Sequence, residues 1–290
     1  MDVNEAWRLH RRWSVVAAKT ADDLSRWRSI NLALVLLGAL LGALAAQSQW
    51  FSKTVTIVLG GTAAGALAIA GIIQAKMLTA DQIHARVGTR AGSEAFKGIV
   101  FQYLAGVAPF AGADRAAALA KKVSDAEGLA ADCASLVAGS EPDAKEIPAV
   151  QGVADYVKKR AEEQRDWHDS RTAKHKARAR NWRRAELIST GAAAALAAVG
   201  GVWHGPNLSA WVAVATTAGT AFAAHLASQQ HDRIADAYAR TVLTLSAALR
   251  SFDAARTTEE EAADFVAKVE QILAAQNETW VSLFSVRSGA

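Results

Sequence analysis

Little in this chain ties it together covalently, and little in it stops a helix. One cysteine in 290 residues, Cys133, excludes an internal disulfide and any cysteine cage for zinc. Only four prolines occur. Alternation of β-branched or aromatic residues is nearly missing, while Ala, Leu, Glu, Lys and Arg dominate, so the expected fold class is all-α. There is no HExxH, GxGxxG, P-loop or GxSxG segment. The seven histidines (10, 84, 168, 175, 204, 225 and 231) have no carboxylate partner at metal-ligand spacing. No catalytic residue, metal or cofactor is therefore expected, and the chain does not read as an enzyme.

Charge is missing in a more telling way. Residues 29–52 and 54–75 contain no Asp, Glu, Lys or Arg, and neither does the stretch from Leu187 to His231, interrupted by Trp203-His204-Gly205-Pro206-Asn207. A helix needs roughly 20 residues to cross the hydrocarbon core. The windows therefore predict transmembrane helices at about 29–49, 54–75, 187–203 and 208–229, in two tight hairpins. The competing reading is a soluble alanine-rich bundle, but such a bundle places charge on one face of nearly every helix. The first apolar run follows 28 charged, Trp-rich residues and is too long for the apolar region of a signal peptide.

What is present sets direction. Net charge is +4, with pI near 9.3 and mean hydropathy +0.09. Arg8, Arg11, Arg12, Lys19, Arg26 and Arg28 precede the first window, and Lys76, Arg86, Arg90 and Lys97 follow the second. The densest basic run precedes the third: Arg171, Lys174, Lys176, Arg178, Arg180, Arg183 and Arg184. Of 32 basic residues only Lys53 falls in an outer turn. By the positive-inside rule both termini are cytoplasmic, which in a bacterium means the inner membrane. Trp50, Phe51, Trp203 and Trp211 match an outer aromatic belt, and Trp27 and Trp182 an inner one. The basic run could bind nucleic acid on charge alone, but its place before an inserted helix favours topology and anionic lipid as its role.

The pattern repeats. Trp27-Arg28 and Trp182-Arg183 open the two hairpins, and Asp81-Gln82-Ile83 and Asp232-Arg233-Ile234 follow them, at offsets of 155 and 151 residues. Modules of residues 1–140 and 151–290 joined by a 141–150 linker result. Polar helices flank each hairpin with 3-4 apolar stripes, such as Leu9, Trp13, Val16, Thr20 and Leu24, or Phe265, Val269, Ile272, Gln276 and Thr279. Such stripes pack as bundles, within the chain or between copies. Thr258–Glu261 reads as a capping box.

Inside the apolar windows, Gly38, Gly42, Gly61, Gly65 and Gly219 are candidate helix-packing positions, since small residues let backbones approach. Thr54, Thr62, Gln74, Thr216, Thr217, Thr220 and Ser228 are candidate pore-lining residues; helix packing is the alternative for them. His225 is a candidate titratable membrane residue, with an interfacial histidine as the plainer reading. No acidic residue lies in the windows, which argues against a proton- or cation-coupled transporter.

Together these features resemble the SLATT domains, two-helix membrane effector modules of bacterial conflict systems that occur beside SMODS nucleotide synthases or SLOG sensors. The resemblance rests on the Trp/Arg-rich lead helix, the hairpin Trp27–Lys76 and the following helix Ala80–Val107. In the second copy it rests on Trp167, Trp182 and Glu278-Thr279-Trp280. It implies an oligomeric effector, a gated pore or channel that compromises the inner membrane during phage infection. With no fused sensor or synthase expected, its trigger would be a separate sensor protein or a nucleotide second messenger. A non-conducting scaffold that recruits cytosolic partners through its bundles is the alternative.

Overall fold

In a computed structural model the chain is helical, with no strand among the described residues, which are 1–202, 207–253 and 257–285, with side chains described through Thr279. Ten α-helices follow in order: α1 (Val3–Ala46), α2 (Lys53–Met77), α3 (Ala80–Ala105), α4 (Arg115–Leu129), α5 (Ala134–Val137), α6 (Val153–Tyr156), α7 (Glu163–Val202), α8 (Leu208–Gln229), α9 (His231–Arg250) and α10 (Glu259–Ser285). Between α6 and α7 the helix continues through a π-helical stretch, Val157–Glu162. Among the described residues four helices are long and apolar enough to cross a membrane, as the charge-free windows require. Trp203 and the turn through Pro206 lie outside the described residues, as does the side chain of Trp280.

Each half has the same order of elements: a long helix whose first part is polar and whose end is apolar, an apolar return helix, and a polar helix. The compact units nevertheless cut across the sequence modules. One comprises residues 23–79 and 174–232, and the other 1–22, 80–173 and 233–290, so each half contributes to both.

The polar unit is organised around α3, whose buried side chains serve three apolar clusters. Phe96 and Val100 pack with Trp7, Trp13, Leu119 and Val123. Phe101 and Ala105 join Tyr156, Leu245, Val266 and Val269. Val87 meets Ile234 and Tyr238. One helix can face so many partners because its glycines leave room: a Cβ on Gly92 would stand 2.7 Å from the Trp13 ring, and one on Gly98 would stand 2.6 Å from Glu270. The expected linker is a loop held against α1, where Trp7 Nε1 donates to the Lys145 carbonyl (2.8 Å) and Arg11 donates to Asp143 (2.6 Å). The capping box starts α10 reciprocally: Glu261 N–H donates to Thr258 Oγ1 at 3.3 Å, and Thr258 N–H to the Glu261 carboxylate at 2.8 Å.

Candidate functional site

The apolar unit is built from two hairpins. In the first, α2 buries Ala63, Ala66, Ala70 and Ile73, one stripe at steps of three and four. A Cβ on Gly38 would meet Leu67 at 2.7 Å, so α1 and α2 touch closely there. Asn31 Nδ2 donates to Gln74 Oε1 at 3.4 Å. In the second, a Cβ on Gly219 would lie 3.0 Å from Thr190 Oγ1, and Trp182 packs on Phe222 and His225. The hairpins also meet each other at two levels. Gln47, fully buried, donates from Nε2 to the Asn207 carbonyl at 2.8 Å, and Arg28 donates to Gln229 Oε1 at 3.4 Å.

Much of this unit is uncovered. Between 0 and 22 % of residues in the four apolar windows are buried, and Ile57, Val58 and Ile72 stand exposed on α2. On that open surface lie Thr54, Thr62 and Gln74, with Thr216 and Thr220 likewise exposed on α8, while Thr217 and Ser228 are half-buried. Thr62 and Ser228 return their hydroxyls to the carbonyls of Val58 and His225 (both 2.8 Å), as hydroxyl side chains in apolar helices do. At Gly42, Gly61 and Gly65 an added Cβ would meet nothing within 4 Å. The small and hydroxylated faces singled out in α2 therefore point away from the chain's own packing.

The basic residues Lys174, Lys176, Arg178, Arg180, Arg183 and Arg184 are exposed along α7. Arg183 pairs with Asp232 at 2.5 Å, and Arg171 stacks over Trp167. His225 is half-buried against Trp182, with ring centroids 4.6 Å apart. Near the same level His175 and His231 approach Nδ1 to Nδ1 at 3.0 Å, so one ring donates to the other. Among the described residues no group of three or more His, Cys, Asp or Glu is placed to hold a metal ion.

The polar unit holds an ionic cluster that its sequence did not announce. Arg160, 1 % exposed, sits in the π-helical stretch and donates from Nε and Nη2 to the two oxygens of Glu270, both at 2.9 Å. Its Nη1 is 3.6 Å from Glu94, and Tyr156 donates to Glu270 at 2.8 Å. The cluster joins α3 and α10 to the segment before α7. Short π-helical stretches often mark functional positions. Burial opposes charge on Arg160, but the Glu270 carboxylate outweighs it and raises the guanidinium's pKa. Burial alone would raise the Glu94 carboxyl, yet Lys97, Arg160, Arg90 and His10 hold it at about 2. Lys97 is lowered, chiefly by burial, although Glu94 favours its charge.

Nothing in the spacing of Lys158-Lys159-Arg160 distinguishes the buried guanidinium from its exposed neighbour Lys158. One signal was readable: Gln276 interrupts an otherwise apolar stripe, and it is buried.

The fold and the uncovered hairpins define a multi-pass, all-α membrane protein. Residues 156–280 match the family model "SMODS and SLOG-associating 2TM effector domain 1", and residues 11–118 match that of DUF4231, a protein family of unknown function. The second half thus carries a SLATT-type two-transmembrane domain, and the two matches fall on the two sequence modules. No curated protein and no solved structure matches the chain.

Proposed function

We propose that the protein is an oligomeric membrane effector that opens a gated pore in the bacterial inner membrane, acting in anti-phage or conflict defence. The observation that carries this reading is the division of α2. Its buried stripe, Ala63 to Ile73, serves the hairpin, while a Cβ on Gly61 or Gly65 would meet no other described residue and the exposed Thr62 bonds only to Val58 of its own helix. Small and hydroxylated surface on a membrane helix packs against another helix or faces water. Further copies of the chain supply the first and, around an axis, create the second. The basic flanks support, by the positive-inside rule, a polar unit and both termini in the cytoplasm. There a nucleotide second messenger or a separate sensor protein shifts the assembly by binding the open arrangement preferentially.

Ion flux from liposomes containing the purified chain tests this. Triggered or spontaneous permeability is expected, reduced severalfold by Thr62→Val or Thr220→Val without loss of assembly. An assembled, folded protein that stays impermeable while capturing a stable cytosolic partner would instead identify a scaffold.

A further inference from the structure

Three buried side-chain nitrogen atoms of the polar unit lack a hydrogen-bond partner among the described residues, and they lie in one place. These are Arg160 Nη1, His168 Nε2 and Gln276 Nε2, on residues 1, 2 and 6 % exposed. All three line one of two cavities in the polar unit. A small cavity of about 170 Å³ is walled by Arg90, Glu94 and Lys97 of α3, Gln164 and His168 of α7, and Gln276 of α10. A larger one of about 560 Å³ is bounded by Arg160, by the carboxylates of Asp132, Glu270 and Glu278 at its rim and wall, and by small residues such as Gly88 and Ala91. Glu94, Leu273 and Asn277 belong to both walls.

Buried polar groups in folded proteins almost always find partners, so three clustered orphans require an explanation. Arg160 Nη1 and the Gln276 amide nitrogen are donors that lack an acceptor. At His168, Nδ1 donates to the Gln164 carbonyl at 2.6 Å, which leaves Nε2 a bare lone pair in the neutral ring. Burial lowers the pKa of the His168 ring, and the Gln276 side chain, whose amide oxygen accepts from the protonated ring, opposes this only in part, leaving the Gln276 amide nitrogen without an acceptor. Arg90 and Lys97 add positive charge to the small cavity, against the single carboxylate of Glu94. What completes such a wall is a group with several acceptor oxygens, negative charge and one proton to share with His168. The small cavity has the volume of several waters, each about 30 Å³ in the liquid. The larger lies in the size range of small-molecule pockets, roughly 300–1,000 Å³, and its glycine and alanine walls suit a flat body.

We propose that these adjoining cavities are a binding site for a small organic oxyanion, a phosphomonoester by chemical class, with its phosphate among Arg90, Lys97, His168 and Gln276 and its flat body in the larger cavity. The phosphate accepts from Lys97, Arg90 and the Gln276 amide, and one proton is held between a phosphate oxygen and His168 Nε2. Groups facing the His168 ring are Arg90 and Glu94 from α3, Gln276 from α10 and the Tyr238 ring from α9. The site stands whether or not the hairpins conduct, because binding is read without flux.

Calorimetric titration of the full chain in detergent, with inorganic phosphate and phenyl phosphate, tests it. Phenyl phosphate is expected to bind saturably and at least about tenfold tighter than inorganic phosphate. Gln276→Leu and Lys97→Met should each weaken it by about tenfold or more, while Lys158→Met leaves it unchanged. Affinity should rise as pH falls toward and below 6.5, because burial holds the free His168 ring below that value and the proton is taken up together with the ligand. Competition distinguishes the source: displacement by soluble phosphomonoesters marks a diffusible ligand, and displacement only by phosphatidic acid vesicles marks a lipid headgroup. No saturable binding of either probe to a protein whose helicity is intact overturns the site, as does binding undiminished in both variants.

Discussion

Arg160 and His10 show how a single buried polar group sets local energetics. Removing one partner of a buried ion pair leaves the other charged and unsolvated, at a cost of about 3–5 kcal/mol. Arg160→Met should therefore lower the thermal midpoint strongly, since it strands Glu270 and Glu94 together. The double variant Arg160→Met/Glu270→Leu should recover most of that loss, as circular dichroism melting in detergent will show. His10 is 3 % exposed and donates Nδ1–H to the Ser93 carbonyl at 2.8 Å. Burial lowers its pKa from 6.5 to about 4. Between those values the unfolded ring takes up a proton that the folded ring refuses, so stability rises with pH across that window and is lost as pH falls through it. His10→Gln should flatten the melting temperature between pH 6.5 and 4; an unchanged slope would remove His10 as the cause.

At the scale of the element, glycine positions divide by what faces them. Gly92 lies under the rigid Trp13 ring, so Gly92→Ala forces α1 and α3 apart and should cost about 1–3 kcal/mol. Gly61 faces open space within the chain. Gly61→Leu should leave the melting temperature nearly unchanged and, on the proposed assembly, reduce the mass of the oligomer in light scattering. These opposite outcomes were not legible beforehand, because small-xxx-small spacing states that a helix can be approached but not which neighbour approaches. The same limit applies to Gly38 and Gly42, one turn apart: only Gly38 meets Leu67. The helices themselves were legible, since α2 and α8 begin and end within a few residues of the charge-free windows. Lack of charge over a membrane's thickness is a property of the chain alone.

For the whole molecule, orientation is the decisive question. Cys133 is the sole cysteine and is buried, so Cys133→Ala provides a background for single reporters. In intact cells a membrane-impermeant maleimide should label Phe51→Cys, and should label Asp2→Cys or Thr257→Cys only after permeabilisation. Labelling in the reverse pattern would invert the proposed topology and place the cavities of the polar unit outside the cell.

Composition and charge spacing alone determined that this chain is helical, that four segments are apolar enough to span a bilayer, and that its halves share one order of elements. Those properties follow from local propensity and from the length of uncharged runs, which need no knowledge of neighbours. The tertiary structure decided how the halves combine: each contributes to both compact units, and α3 of the first half packs with Tyr156 and α10 of the second. It also decided that Arg160, within a run of lysines, is buried against Glu270 while Lys158 stays in solvent. The reason is physical. A charged residue enters a core only when a distant residue arrives to compensate it, and that meeting is a property of the folded chain.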